Sequence, residues 1–247
     1  MKKTRAKKKV FTLLIIFILL TFSGCSNKRE IIMVATSLKD IINVEHTEFG
    51  SNEIFINYGG SLSLARRIES NDKKIGGVIF ASQDSLDVLI SKNLIDLKSI
   101  TTLASNSLVI VTSSKDKYTL EDIINTNRSL IVSDPEIAPA GVYASQAIEK
   151  FFPKDFINRN VIFSGDVTYV SNILKNDKDL FGIVYNTEAI KNNLNVVYRI
   201  PTDYHDKIEY RMGILKNNDN DRIMEFLNIL ESENIKNKLS KLGFLIN

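Results

Sequence analysis

The chain has 247 residues, enough for one large domain or two modest ones, and its 44% of hydrophobic residues excludes a disordered chain. The formal net charge of +3 arises at the N-terminus, where residues 1–24 contain six Lys or Arg and no acidic residue. The rest of the chain has 26 basic and 29 acidic residues, so no basic surface indicates nucleic-acid binding.

Residues 1–24 have the pattern of a signal peptide, with a basic start and an apolar run over 10–22. This run is shorter than the roughly 20 residues that a membrane-spanning helix needs. The only cysteine in the chain, Cys25, follows in FSGC, and residues 25–30 form a polar tether. The arrangement resembles a bacterial lipoprotein signal, which implies export and a lipid on Cys25 at the outer face of the cytoplasmic membrane. An ordinary signal peptide with a chance cysteine is the alternative, and a single cysteine allows no internal disulfide.

Short apolar runs alternate with helical patterns from residue 31 onward. The runs at 31–35, 53–57 and 77–81 predict buried strands. Helices are predicted to open at Thr36-Ser37, to begin at Ser61 and to cover residues 82–93. Continuous apolar strands that alternate with helices indicate an α/β fold, with mostly parallel sheets and helices on both faces.

A second series of elements begins with a strand at 106–112. Further strands are predicted at 130–133, 160–163, 182–185, 195–200 and 207–215, and helices near 120–126, 140–151, 166–175, 187–192 and 223–230, with a last helix stopping near Gly243. This order predicts two α/β lobes, in which residues 31–105 and 205–247 form lobe I and residues 106–204 form lobe II. The two segments in which the chain passes between the lobes would act as a hinge, and a ligand cleft would lie between the lobes.

Several predicted strands end in short polar turns that open helices with small residues in the first turn. Ligands in open α/β sheets bind beyond the carboxyl ends of the strands. A helix start offers unpaired N–H groups and a partial positive charge, which together suit an anion. The positions selected in this way are Ser37, Ser61, Ala140 and Val167, with glycines at 59–60 and 141 that let the backbone come close. No Lys or Arg occupies these turns, so we expect neutral donors alone.

These residues also have ordinary structural interpretations. A serine at a helix start is a common N-cap that contributes about 1 kcal/mol to stability. Tyr185, at the end of another predicted strand, could be a core residue with its hydroxyl at the surface. From the residues alone, the pattern indicates a cleft for an anion or a small polar ligand.

Catalytic motifs are incomplete. The segment YGGSLSL nearly matches the nucleophile elbow G-x-S-x-G, but Ser63 stands where the last glycine belongs. The only histidines, His46 and His205, lie in polar segments and are expected to be solvated. Two histidines, and one cysteine that we assign to lipid attachment, are too few ligands for a typical transition-metal site. We therefore expect that the protein is not an enzyme and that it holds no cofactor or metal directly. A serine hydrolase that uses Ser61 is the alternative.

The order of the motifs resembles the molybdate-binding proteins of ABC importers, a branch of the two-lobed periplasmic-type binding proteins of type II. The matching segments are ATSLKD (35–40), YGGSLSLARRIE (58–69), ASQDSLDVLISKNLID (81–96), NSLVIV (106–111), DPEIAPAGVYASQAIE (134–149), GDVTYVSNIL (165–174), GIVYNTEAI (182–190) and YRMGIL (210–215). They span nearly everything after residue 30, and the DPxxxPAGxYA pattern is the most specific part.

In that family two serines, backbone N–H groups and a tyrosine hydroxyl hold a tetrahedral oxyanion. The resemblance places the serines at Ser37 and Ser61, the N–H groups at Ala140 and Val167, and the hydroxyl at Tyr185. It implies a monomer that captures molybdate or tungstate outside the membrane and delivers it to an ABC permease.

The sequence departs from the family in three places. Gly76 and Phe80 replace an acidic and a small residue, Thr36 replaces a usual alanine, and the segment between the two serines is a few residues short. These departures leave the choice between molybdate and tungstate open. Sulfate, phosphate or an organic anion stays an alternative ligand.

Overall fold

The computed structural model describes residues 30–49, 54–70, 75–216 and 221–246. The segment on which the signal-peptide and lipid predictions rest, Cys25 included, lies outside these ranges. Within them, no helix combines the length and the apolar character needed to cross a membrane.

The first part of the chain alternates between strands and helices, as the sequence predicts. Its elements are β1 (Glu30–Ala35), a 3₁₀ turn (Thr36–Leu38), α1 (Lys39–Phe49), β2 (Ile54–Gly59), α2 (Ser61–Glu69), β3 (Ile75–Phe80), α3 (Gln83–Ser91), a 3₁₀ turn (Leu97–Ser99) and β4 (Thr101–Asn106). The sequence analysis missed β4, because only Leu103 and Ala104 of its six residues are apolar and they do not form a continuous apolar run.

The second part continues the alternation. Its elements are β5 (Leu108–Thr112), α4 (Leu120–Ile124), β6 (Leu130–Val132), α5 (Pro139–Phe151), α6 (Lys154–Asn160), β7 (Val161–Phe163), α7 (Val167–Asn176), β8 (Phe181–Tyr185), α8 (Asn186–Lys191), β9 (Asn195–Arg199), a 3₁₀ turn (Thr202–Tyr204), β10 (Ile208–Ile214), α9 (Asp221–Leu230) and α10 (Glu233–Lys241). The polar helix α6 is a further element that the sequence analysis did not predict.

The ten strands within the described ranges form two five-stranded sheets. The first has the order β2-β1-β3-β10-β4 and the second has the order β7-β6-β8-β5-β9. In the first sheet only β10 runs against the other four strands, and in the second only β5 does so. The expected α/β class with mostly parallel sheets is therefore confirmed.

Each sheet is covered on both faces. Along β1, Ile32 and Val34 belong to one buried cluster, whereas Met33 between them belongs to another. Along β5, Leu108 and Val109 divide in the same way between the two clusters of the second sheet. Successive side chains of a strand point to opposite faces, so helices must pack on both sides, which explains the continuous apolar runs.

The chain passes between the two sheets twice. Ser107 alone separates β4 from β5, and residues 200–207 connect β9 to β10. Contacts also tie the halves together, because the Asn186 side-chain amide in α8 donates a 2.8 Å hydrogen bond to the Gly243 carbonyl after α10. Gly243 has a φ of 92°, the left-handed conformation expected where a helix stops.

Candidate functional site

The turns that carry the two candidate serines lie side by side. Strands β1 and β2 are parallel neighbours, with Ala35 opposite Gly59 at their carboxyl ends. Ser37 follows β1 in the 3₁₀ turn, and Ser61 is the first residue of α2. Strand β3 flanks β1 on its other side and ends just before Ala81. Both serines therefore lie at the same edge of the first sheet.

Ser61 does not act as the N-cap of its helix, since Gly60 occupies the cap position and has no side chain to accept a hydrogen bond. Instead, the Ser61 Oγ accepts a 3.0 Å hydrogen bond from the backbone N–H of Ala81. A hydroxyl has one hydrogen to donate, and here that hydrogen is left for another acceptor. A Cβ added at Gly60 would meet nothing within 4 Å, so the approach to this turn is open.

The other three candidates lie at one edge of the second sheet. Strands β7, β6 and β8 are parallel neighbours, and their carboxyl ends lead toward α7, α5 and α8. Ala140 is the second residue of α5, Val167 is the first residue of α7, and Tyr185 ends β8. The N–H groups of Ala140 and Val167 belong to first helical turns, where no intrahelical carbonyl is available to accept from them.

The sequence analysis attributed the glycine at position 141 to the close approach of a ligand. In the structure, Gly141 is required by packing within the protein. A Cβ at this position would lie 2.5 Å from three main-chain atoms, contributed by Ser133, Asp134 and Pro135. The turn after β6 thus packs directly against the first turn of α5. The glycine allows this contact, which holds the N-terminus of α5 and the Ala140 N–H in place.

Three tyrosines from the two halves have raised pKa values. Burial raises the pKa of Tyr185 well above its ordinary value, and negative charge on Tyr210 or Tyr143 would raise it further. Burial raises the pKa of Tyr143 to about 12, with additional effects from Asp84 and Asp206. These electrostatic effects act between different elements, since Tyr143 belongs to α5, Tyr185 to β8 and Tyr210 to β10. All three hydroxyls stay protonated at neutral pH and can donate.

Tyr210 is a site residue that the sequence analysis missed. It is 1% exposed in β10. Burial raises the pKa of Tyr210, whereas hydrogen bonding with the side chains of Ser37 and Asn106 lowers it. The sequence signal was the alternation along β10, which buries residues 208, 210 and 212, but that pattern does not reveal which residues Tyr210 contacts.

A cavity of about 580 Å³ opens between the two halves beside these turns. Leu62 and Arg211 line it from the side of the first sheet, and Pro139 and Tyr143 line it from the side of the second. The five candidate residues are not part of its wall, but Leu62 follows Ser61 and Pro139 precedes Ala140. Ser61 and Ala140, one from each half, are thus adjacent in sequence to residues of the cleft wall.

One of the two basic residues in the cleft wall, Arg211, already has a partner, and the other is Lys207. The Arg211 guanidinium forms a 2.6 Å ion pair with Glu209, whose side chain is only 17% exposed. Arg66 and Arg67, which follow Ser61 in α2, are exposed to solvent. The five candidate residues at the strand ends are themselves uncharged.

A catalytic or metal-binding arrangement is not formed in the part of the chain that the structure describes. No group of three or more His, Cys, Asp or Glu residues there could hold a metal ion. The His46 Nε2 lies 2.6 Å from the Ile54 carbonyl, and the His205 Nδ1 lies 2.7 Å from the Asp206 carbonyl. His205 is only 7% exposed, so the expectation that it is solvated was wrong. The partner of the Ser61 hydroxyl is a backbone N–H and not a base.

Comparisons with known proteins agree with this architecture. Residues 34–245 match the model of a family described as bacterial extracellular solute-binding proteins. The chain is 28% identical to the molybdate-binding protein ModA of Escherichia coli over 87% of its own length and 88% of that protein. It is 27% identical to YvgL of Bacillus subtilis, a protein assigned as an ABC transporter substrate-binding lipoprotein, over 76% and 74% of the two chains.

A solved structure shows the same fold. It is a substrate-binding domain assigned to a molybdenum ABC transporter of Clostridium difficile, and it superposes with a TM-score of 0.78 at 26% identity. The match covers 88% of this chain and 99% of that domain. These matches confirm the predicted resemblance to the molybdate-binding branch, and the proteins matched are solute-binding proteins and not enzymes.

Proposed function

Because this chain belongs to the family of bacterial extracellular solute-binding proteins, we propose that it captures molybdate or tungstate in the cleft and delivers it to the permease of an ABC importer. The observation that carries this proposal is the arrangement of uncharged donors at the sheet edges. Two hydroxyls come from the first sheet, and two helix N-termini and a tyrosine come from the second.

The proposed site holds the anion between two lobes that close on it. We assign residues 31–105 and 205–247 to lobe I and residues 106–204 to lobe II, which agrees with the division of the strands between the sheets. Ser37 and Ser61 would donate from lobe I. The Ala140 and Val167 N–H groups and the Tyr185 hydroxyl would donate from lobe II. An anion that accepts from both sides favours the closed arrangement of the lobes.

The chemistry of these donors suits a dianion that carries no proton. Each hydrogen bond from a neutral donor to a charged oxygen contributes about 1.5–3 kcal/mol. A protonated oxyanion would bring an O–H that needs an acceptor, and it would be bound less well if the site offers only donors. Molybdate and tungstate are tetrahedral dianions near neutral pH, and the site needs no cofactor or protein-held metal to bind them.

The remaining parts of the proposal concern location and assembly. We propose that Cys25 carries the lipid that tethers the protein at the outer face of the membrane, with residues 1–24 removed as a signal peptide. The similarity to a lipoprotein of Bacillus subtilis supports this. A monomer with one cleft would be sufficient for delivery to a permease.

A thermal-shift panel tests the proposed ligand. A ligand that binds only the native state at 100 times its dissociation constant stabilises that state by about 2.7 kcal/mol, which raises the melting temperature. We expect molybdate and tungstate to produce the largest shifts among molybdate, tungstate, sulfate, phosphate and an organic anion. Calorimetry should then show one site per chain. If only sulfate, phosphate or the organic anion raised the melting temperature, that anion would replace molybdate and tungstate as the proposed ligand. If none of the anions raised it, the proposal would be overturned.

A further inference from the structure

The start of helix α8 is fixed to the residue at which the chain first passes between the two sheets. The backbone N–H of Asn186, the first residue of α8, donates a 2.8 Å hydrogen bond to the carbonyl of Ser107, which alone separates β4 from β5. Tyr185, the residue before Asn186, pairs with Leu108 at the beginning of β5. The main chain of Tyr185 therefore lies directly beside this crossing.

The Asn186 side chain joins the two halves of the molecule. It is 6% exposed, and both of its polar atoms have partners. The Oδ1 atom accepts a 2.8 Å hydrogen bond from the Arg199 guanidinium in β9 of the second sheet. The Nδ2 group donates a 2.8 Å hydrogen bond to the Gly243 carbonyl, in the segment after α10. A guanidinium can only donate and a carbonyl can only accept, so both partners agree with one orientation of the amide.

The first sheet holds the segment to which Asn186 is bonded. Two residues after Gly243, Leu245 exchanges two main-chain hydrogen bonds of 2.8 Å with Ser105 in β4. The glycine also lets α8 come close, because a Cβ at position 243 would lie 2.7 Å from the Asn186 Nδ2. The segment after α10 is therefore a support between β4 and α8.

A second buried side chain ties the same helical turn to the first sheet. Asn106, the last residue of β4, is 2% exposed and donates from its Nδ2 to the Thr187 Oγ1 at 3.0 Å. At the other end of α8, Lys191 and Asp40 form a 3.3 Å ion pair, but their side chains are 63% and 75% exposed, so this pair contributes little. The first turn of α8 is thus held to the first half by hydrogen bonds of two buried asparagines.

We propose that Asn186 is a positioning residue, which fixes the Tyr185 hydroxyl relative to the two serines of the first half. The inference rests on the proposed oxyanion site and deepens it. When the halves close on an anion, α5 and α7 would bring the Ala140 and Val167 N–H groups toward the ligand. Tyr185 would instead keep its place, because opening the bonds of Asn186 would leave buried polar groups without partners. A donor that is already in place when the anion binds loses little freedom, which favours tight binding.

A double-mutant cycle with molybdate as the probe tests this role. Asn186→Ala removes both side-chain hydrogen bonds and should weaken molybdate binding about 10-fold in calorimetry. In the Tyr185→Phe background there is no hydroxyl to misplace, so the same substitution should weaken binding less than about 2-fold. In the Ser61→Ala background it should keep its full effect, because Ser61 is bonded to the Ala81 N–H and not to α8.

A matched control distinguishes this role from a general loss of stability. Asn192→Ala, just after α8, removes an amide whose hydrogen bonds go to Glu188 within the same helix. It should leave the molybdate affinity unchanged, whatever its effect on urea unfolding.

A second variant serves if urea unfolding without ligand shows that Asn186→Ala is not folded. Asn186→Asp has nearly the same size, keeps the acceptor for Arg199 and replaces the donor to Gly243 by an oxygen. The charge that it adds acts with or without the Tyr185 hydroxyl. A larger loss of affinity in the wild-type background than in the Tyr185→Phe background therefore still isolates the positioning effect.

The outcomes separate this inference from the proposed function. If wild-type protein binds molybdate and the folded Asn186 variant binds it equally well, the positioning role is overturned and the function stands. The same conclusion follows if that variant loses as much affinity in the Tyr185→Phe background as in the wild type, within about 2-fold. If wild-type protein binds none of the oxyanions, the proposed function fails, and the role of Asn186 fails with it.

Discussion

Gly141→Ala should displace the N-terminus of α5 and so weaken both the fold and the site. The added Cβ would lie 2.5 Å from main-chain atoms of residues 133–135, about 0.9 Å closer than the 3.4 Å at which ordinary contacts begin. None of these atoms belongs to a side chain that could rotate away, so the helix or the turn after β6 must move by most of that distance.

The expected magnitude follows from two opposing effects. Overpacking of this kind costs about 1–3 kcal/mol. The gain in helix propensity from Gly to Ala is at most about 1 kcal/mol, and it is smaller in a first turn. We therefore expect the free energy of unfolding to fall by about 1–2 kcal/mol. A shift of nearly 1 Å also misplaces the Ala140 N–H, which should weaken molybdate binding by roughly 10-fold.

Urea unfolding and calorimetry measure the two effects. Gly60→Ala is the matched comparison, because a Cβ there meets nothing within 4 Å and its φ of −66° suits alanine. It should cost less than about 1 kcal/mol of stability, through the poorer N-cap alone. If Gly141→Ala were as stable as the wild type or more so, the argument from the close packing of this turn would be refuted.

Four further outcomes follow from the site and the sequence. Ser61→Ala should weaken molybdate binding by about 1–3 kcal/mol in calorimetry with the fold intact, whereas Ser63→Ala, exposed on the same helix, should not. Tyr185→Phe should weaken binding by a similar amount, and unchanged affinity would remove that hydroxyl from the site. The pKa of Tyr143 in the folded state, about 12, lies above its ordinary value of 10, so the free energy of unfolding should fall as pH rises from 10 to 12. Urea unfolding should show a smaller fall for Tyr143→Phe. Cys25→Ser should release the protein from membranes in fractionation, and a variant that stays with the membranes would contradict the lipid anchor.

The sequence predicted the elements whose pattern is local. Strands such as β3, buried at all six residues, appear as apolar runs, and helix starts after them are marked by small residues and glycine. The positions of Ser37 and Ser61 at neighbouring strand ends followed from the rule that parallel strands end at one edge. The sheet edge at which the two serines lie was therefore predictable, because all parallel strands of a sheet end at the same edge.

The features that were missed depend on distant parts of the chain. His205 is buried partly because the ring of Tyr143, in α5 and distant in sequence, packs at 6.1 Å from it. Tyr210 contacts Ser37 only because β10 enters the first sheet beside β3, an antiparallel insertion with no local signature. Gly141 was recognised as a close-approach position, but its neighbour is the turn after β6 and not a ligand.

The position of β10 between β3 and β4 has a consequence for the order in which the molecule can assemble. Every strand of the second sheet lies within residues 108–199, so that sheet can be completed as soon as this stretch has left the ribosome. The first sheet stays divided at its middle until residues 208–214 have been synthesised, which leaves the hydrogen-bonding edges of β3 and β4 unpaired in the meantime. The nested half can therefore fold first, and the half that surrounds it cannot be completed until the later part of the chain is available.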